Sequence, residues 1–227
     1  MTAAILTVNA GSSSIKAALY PLGDGLVPDT PLVRVHLSGL GAAPVIGMTR
    51  PGGAAGAVRP VPVQDHEAAI DAVFDLLAPL ADQHELIAVG HRVVHGGRDF
   101  TGPVILDEEN LAALATLSPL APGHQPHNLG AVYAARRRWP GVPQTASFDT
   151  AFHATCPPVA RQFALPRDLL EDGILRYGFH GLSYDYIAGV LPAFLEPPQR
   201  GRVIVAHLGA GASMCALKGG ISIATPR

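Results

Sequence analysis

The chain has 227 residues, enough for one large domain or two small ones, and its 48% of hydrophobic residues is ordinary for a globular protein. A formal net charge of −2 gives no basis for binding nucleic acid or a membrane surface, and no apolar run approaches membrane-spanning length. The chain begins without a charged leader, and Cys156 and Cys215 lack metal or redox spacing. We therefore expect a cytoplasmic protein with free thiols.

The first predicted element is a β-hairpin over residues 5–19 that carries a candidate phosphate-binding turn. Apolar runs enter and leave a short turn of one glycine and three serines. The Ser12 and Ser14 hydroxyls and the Lys16 ammonium group suit phosphate oxygens, and the neutral oxygen of Asn9 suits Mg²⁺. A serine-rich hairpin without a ligand is the alternative interpretation.

The remaining elements alternate between strands and helices. We expect a strand at 32–37, and the glycine- and proline-rich residues 39–62 predict an irregular excursion or a mobile flap. Hydrophobic periodicity predicts helices at 66–81, 107–117, 128–139, 167–170 and 182–195, with buried strands at 86–89 and 144–148. This order predicts an α/β fold in which the hairpins make the sheets mixed, and a domain boundary near residues 149–155.

A second predicted hairpin, over residues 203–217, repeats the pattern of the first. When the two are aligned, Gly209 falls on Gly11 and His207 falls on Asn9. Such self-similarity suggests two duplicated domains, each offering a glycine turn to one shared nucleotide. Chance similarity between glycine-rich turns is the alternative.

Three further polar residues are candidates for chemistry. Arg92 follows a predicted strand and could bind a carboxylate or phosphate, or form an internal ion pair. Asp149 ends the next strand and could serve catalysis, hold a metal, or cap a helix. His180 lies between glycines and could donate to a phosphoryl oxygen, or be a buried histidine with a structural role. Together these groups favour phosphoryl transfer.

With these motifs the chain resembles the acetate kinase family, within the superfamily of sugar kinases, heat-shock chaperones and actin. The resemblance rests on motifs at residues 8–16, 90–97, 148–153, 177–181 and 207–213. It implies a ribonuclease-H-like domain over 1–150 and an incomplete nucleotide-binding domain over 151–227. It also implies transfer of a phosphoryl group from ATP to acetate with Mg²⁺, or Mn²⁺ in its place, in an enzyme that forms homodimers when full length.

The resemblance also implies roles for single residues. Arg92 would bind the carboxylate, Asp149 would be catalytic, and His180 would stabilise the transition state. Asn9 would contact the metal. Nucleotide phosphates would be contacted by Ser12, Ser14, Lys16, His207, Leu208, Gly209, Ala210 and Gly211, and the substrate would also meet Val94, His124 and Phe179.

The chain departs from the family in three ways. Ala210 replaces a usual asparagine, and Gly123 replaces a pocket leucine, which would open the acyl site and makes propionate or butyrate kinase an alternative. A non-catalytic, actin-like nucleotide-binding module is another alternative. The chain also ends in Ala224-Thr-Pro-Arg227, where the family continues. We interpret this ending as a frameshifted or truncated gene product, with deliberate trimming as the competing explanation, and expect little or no activity from these 227 residues.

Overall fold

The computed structural model describes residues 2–23, 25–53, 56–171, 174–209 and 211–226. Its chain divides into two compact units, one made of Met1–Val93 with Val104–Ala146 and the other of Val94–Pro103 with Ser147–Arg227. The domain boundary expected near residues 149–155 stays a prediction.

The first unit is built on a mixed eight-stranded sheet with the strand order β5-β4-β3-β2-β1-β6-β8-β7. The strands are β1 (Ala3–Ala10), β2 (Ser14–Pro21), β3 (Val33–Ser38), β4 (Val45–Thr49), β5 (Arg59–Pro60), β6 (Glu85–Val93), β7 (Val104–Ile105) and β8 (Gln144–Phe148). Strand β1 pairs antiparallel with β2 and parallel with β6. The predicted α/β fold with a mixed sheet is confirmed.

Three helices accompany this sheet: α1 (His66–Ala81), α2 (Glu108–Thr116) and α3 (Gln125–Arg138). Helix α1 occupies the predicted residues, and the side chain of Asp65 caps it by accepting a hydrogen bond of 2.8 Å from the Ala68 amide. Asp107 caps α2 in the same way. Phe74 of α1 meets Trp139 at the end of α3 edge to face, with ring centroids 5.0 Å apart. Both side chains belong to the core that covers one sheet face.

The irregular excursion expected over residues 39–62 is wrong, because β4 and β5 lie within it. Gly39 has φ of 77°, and its carbonyl accepts from the Ala42 amide at 3.0 Å, so the chain reverses tightly there. The reversal returns Val45–Thr49 along β3, and the side chain of Ile46 is buried in the core. Because the segment is rich in glycine and proline, its sequence did not predict this short strand.

The described residues of the second unit form three short α-helices and a three-stranded sheet. The helices are α4 (Pro158–Arg161), α5 (Arg167–Glu171) and α6 (Gly181–Val190), and the strands β9 (Arg202–Leu208), β10 (Ala212–Lys218) and β11 (Ile221–Ala224) lie in the order β11-β10-β9. The predicted second hairpin is confirmed as β9 and β10. Tyr184, Cys215 and Leu217 form the centre of this unit's core.

The helix expected over residues 182–195 is shorter than predicted. It ends at Val190 and is followed by a 3₁₀ turn, Leu191–Ala193. Pro192 accounts for the change, since a proline has no amide proton to continue the α-helical hydrogen-bond ladder. Among the described residues, no helix is long and apolar enough to cross a membrane.

Candidate active site

In the first unit, the structure brings Asn9 and Arg92 into contact. The parallel pairing of β1 with β6 sets Thr7 opposite Gly90 and Val8 opposite His91, so Asn9 and Arg92 follow on the same sheet face. Arg92 Nη1 donates a hydrogen bond of 3.0 Å to Asn9 Oδ1. The guanidinium group, half-buried, thus lies beside the end of the first hairpin.

The hairpin turn presents hydroxyl groups and one ammonium group. Ser12 is exposed and Ser14 is half-buried, while Lys16 is exposed and lies directly opposite Asn9 in the strand pairing. The Gly11 amide donates to the Ser14 carbonyl at 2.9 Å. This amide therefore closes the turn, and the Gly11 N–H is not available to an anion.

Two side chains stabilise the turn by contacting its backbone carbonyls. Asn128 Nδ2 of α3 donates to the Ala10 carbonyl at 2.7 Å, and the Asn128 side chain is buried. His66 Nε2 lies 2.9 Å from the Gly11 carbonyl and, being beside an acceptor, carries the proton. Its ring packs on that of His127 with centroids 4.1 Å apart. His124 is exposed at the amino-terminal end of α3, where its side chain forms no capping hydrogen bond.

His91 is a structural residue on the opposite side of β6. It is buried, and its Nε2 contacts the side-chain amide of Gln144 at 2.8 Å. With the Gln144 amide turned so that its oxygen accepts from the Arg136 amide, its nitrogen donates to His91 Nε2. Burial lowers the pKa of His91 to about 4, so the ring is neutral at pH 7.

In the second unit, Asp149 and His180 are held by a close backbone approach. The Gly181 amide donates to the Asp149 carbonyl at 2.9 Å, and a Cβ atom at residue 181 would lie 2.1 Å from that carbonyl oxygen. Only glycine fits there. The side chain of Asp149 is buried. Burial lowers the pKa of His153, and the hydrogen bond to the Phe179 carbonyl and the Asp149 charge oppose this lowering.

His180 has a left-handed backbone, with φ of 60°, and is the one non-glycine residue with positive φ in the described part of the chain. Its imidazole stacks on that of His207 with centroids 4.2 Å apart and planes inclined by 14°. A Cβ atom at Gly211 would lie 3.4 Å from His180 Nε2. The glycine-rich turn after β9 and the His180 ring are therefore neighbours, as a shared phosphate site requires.

The other predicted contacts of this unit differ in exposure. Leu208 is 80% exposed at the end of β9, and the Gly209 amide donates to the Gly211 carbonyl at 3.2 Å. Ala210 lies outside the described residues. Val94 is buried and Phe179 is half-buried, and the ring of Phe179 lies 5.8 Å from that of His95. Their role in holding an acyl group stays a prediction.

Sequence reasoning missed the residues that support this region. His153 contacts the Phe179 carbonyl through Nε2 at 3.1 Å and the Ser222 hydroxyl through Nδ1 at 2.9 Å. Ser222 also lies 3.2 Å from the sulfur of Cys156 and 3.2 Å from that of Cys215. His207 Nδ1 contacts the Ser183 hydroxyl at 3.0 Å. His207 was itself a predicted phosphate contact; His153 lies in a quoted motif, and Ser222 had no signal in the sequence.

The described residues do not form a metal site on their own. No group of three His, Cys, Asp or Glu side chains among them is arranged to hold a metal ion. Asn9 offers one neutral oxygen, which already accepts from Arg92 and has a second lone pair. A neutral amide oxygen is a ligand that Mg²⁺ accepts, and the metal contact of Asn9 stays a prediction.

The chain matches a known protein family over nearly its whole length. The family model described as "Acetokinase family" matches residues 4–226. Acetate kinase of Rhodopseudomonas palustris CGA009 is 46% identical over 99% of this chain, and that of Methylocella silvestris is 43% identical over 99%.

Solved structures show the same relationship. The acetate kinase of Porphyromonas gingivalis superposes with a TM-score of 0.77 at 34% identity, covering 98% of this chain and 57% of its own. A propionate kinase from Francisella tularensis superposes with a TM-score of 0.81 at 30% identity, covering 98% and 56%. The chain likewise spans 57% of the R. palustris protein and 58% of the M. silvestris protein. With a family match across nearly its whole length, the chain belongs to the acetokinase family.

Proposed function

We propose that this chain carries the carboxylate-binding and part of the phosphate-binding groups of an acetate kinase. The reaction is reversible transfer of the γ-phosphoryl group of ATP to acetate, giving ADP and acetyl phosphate. The observation that carries the proposal is the hydrogen bond from Arg92 to Asn9, because it joins the first two family motifs in one place. It sets a planar cation beside the hydroxyl-lined turn.

The chemistry follows from charge. A carboxylate and a nucleotide phosphate are both anions, so bringing their oxygens together needs cations and hydrogen-bond donors fixed in advance. Arg92 would bind the carboxylate by its two-pronged face, while Ser12, Ser14 and Lys16 would meet phosphate oxygens. Asp149 would act as the catalytic carboxylate.

Residues of the second unit would also contact phosphate. His180 would donate to the transferring phosphoryl group, and His207 with the turn at residues 208–211 would contact the nucleotide. Mg²⁺, or Mn²⁺ in its place, would neutralise phosphate charge when bound, with Asn9 as a protein contact. We also propose a cytoplasmic enzyme that forms homodimers when full length.

Propionate or butyrate kinase is the second candidate. Gly123 precedes His124 at the entry to α3, and a Cβ atom there would meet nothing within 4 Å. If Gly123 lines the acyl site, the missing side chain would leave room for a longer acyl group. The likeness to the F. tularensis propionate kinase supports the same alternative.

The test is acyl hydroxamate formation with acetate, propionate and butyrate. It is run on the 227-residue chain and on a hybrid that continues it with the segment of the R. palustris acetate kinase beyond the matched region. We expect the hybrid to form hydroxamate, and the rank of the three acids to decide the acyl preference. Tight ATP binding with no hydroxamate from any acid would contradict the proposal and indicate a non-catalytic nucleotide-binding module.

Arginine variants of the hybrid test the key residue. Arg92→Gln should lower the rate on the order of 10³-fold, because a cation that stabilises transition-state charge is lost. The matched control is Arg137→Gln, which removes an arginine whose side chain is 56% exposed and paired with Glu67 on the surface. Equal rates for the two variants would show that Arg92 does not belong to the active site.

A further inference from the structure

Two buried polar side chains of the second unit, Tyr184 and Ser213, lie behind His180. Tyr184 is fully buried in α6, and Ser213 of β10 is 7% exposed. The Tyr184 hydroxyl contacts Ser213 Oγ, and Ser213 Oγ lies 2.8 Å from His180 Nδ1. The three side chains form one hydrogen-bonded chain that ends on the imidazole.

The direction of this chain follows from its first member. Hydrogen bonds with Ser213 and with the His207 backbone each lower the pKa of Tyr184. Burial has the larger effect and raises that pKa, so the phenol keeps its proton. That proton needs an acceptor in a fully buried position, and the oxygen in contact is Ser213 Oγ.

The serine then has one proton left to give. Its oxygen accepts from Tyr184, which leaves its own hydroxyl proton available to His180 Nδ1, 2.8 Å away. A neutral imidazole that accepts at Nδ1 carries its proton on Nε2. Nε2 is the atom beside Gly211, at the glycine-rich turn.

We propose that Tyr184 and Ser213 are positioning residues that fix the His180 tautomer, so that an N–H group and not a lone pair faces the anion at the Gly211 turn. This rests on the proposed function, in which that anion is the transferring phosphoryl group. The wrong tautomer would set a lone pair against phosphoryl oxygens and repel them. Because the His180 ring stacks on that of His207, it has little freedom to rotate and exchange the positions of its two nitrogens.

The experiment reads the tautomer directly, by long-range ¹H–¹⁵N NMR correlation of the histidine rings in the 227-residue chain. We expect His180 to show a protonated Nε2 and an accepting Nδ1 at pH 8. Ser213→Ala should convert part or all of it to the other tautomer, and Ser213→Thr should restore the original pattern. Tyr184→Phe, which keeps the ring in the core, should give a mixture because the serine hydroxyl is then free to reorient.

Ser183→Ala is the matched control, since it deletes a hydroxyl that contacts the neighbouring His207. It should alter the His207 signals and leave the His180 tautomer in place. A His180 tautomer that is the same in the wild type, Ser213→Ala and Tyr184→Phe proteins would overturn the inference. So would an Nδ1–H tautomer in the wild type.

A titration with inorganic phosphate connects the tautomer to binding. Ser213→Ala should weaken phosphate binding about tenfold, the loss expected for one charge-assisted hydrogen bond, and Ser213→Thr should recover it. Equal affinities would overturn the positioning role. The hydroxamate assay decides the proposed function separately, because the tautomer is read without turnover.

Discussion

The imidazole rings of His180 and His207 stack almost parallel, with centroids 4.2 Å apart. One ring comes from the residue that precedes α6 and the other from strand β9, so the stack joins two of the family's motifs within the second unit. The backbone of His180 is left-handed at this point. Strain of this kind is common at functional sites and is maintained by surrounding contacts.

The strain at residue 180 predicts an unusual ranking of variants. His180→Gly and His180→Ala both lose the ring stack, but only alanine pays the left-handed backbone cost. We expect His180→Gly to have the larger free energy of unfolding, by about 1 kcal/mol, in urea denaturation. At the exposed α6 residue Tyr186 the order should reverse, with the glycine variant less stable than the alanine variant by about 1 kcal/mol. The same order at both positions would contradict the strain.

Two glycines of one helix should respond oppositely to alanine. A Cβ atom at Gly181 would lie 2.1 Å from the Asp149 carbonyl oxygen, whereas one at Gly189 would meet nothing within 4 Å. We expect Gly181→Ala to lower the free energy of unfolding by about 2 kcal/mol or to prevent folding. Gly189→Ala should raise it by up to about 1 kcal/mol, since alanine has the higher helix propensity. Urea denaturation checks both, and a stable Gly181→Ala protein would show that the close approach does not exist.

The buried His91 should make stability fall as the solution is acidified. Its pKa is lowered from 6.5 to about 4 on folding, so between those values the unfolded state binds the extra proton. The stabilisation is complete above pH 6.5 and is lost as pH falls through about 4, with a limit of about 3 kcal/mol. His91→Gln should therefore show a shallower decline of the unfolding free energy between pH 7 and pH 5. An unchanged slope in urea titrations would mean that His91 ionises freely in the folded protein.

One face of the three-stranded sheet exposes apolar side chains, which should bind hydrophobic probes. Ile204 of β9 is 74% exposed and Met214 of β10 is 52% exposed, whereas Leu217 of β10 is buried. We expect Ile204→Lys and Met214→Lys to reduce the fluorescence of an apolar dye and slow aggregation with little change in melting temperature. Leu217→Lys, which would bury a charge, should unfold the unit. Aggregation that is unaffected by both exposed-face variants would place its cause elsewhere in the chain.

Local patterns in the sequence were sufficient for the regular elements. The helical spacing after Asp65 and its capping carboxylate determine α1 almost residue by residue. Two apolar runs around a glycine-rich turn similarly determine each hairpin. Where a short strand depends on a neighbour, as β4 depends on β3, the pattern was too weak to show it.

The sequence by itself determined the family, the mixed α/β class and the residue types that could meet phosphate and carboxylate, because these depend on local spacing and motif order. Only the tertiary structure decided which groups touch. The contact of Arg92 with Asn9 and the chain from Tyr184 through Ser213 to His180 join residues far apart in sequence. Such contacts arise from strand register and helix packing, which bring together atoms that no local pattern relates.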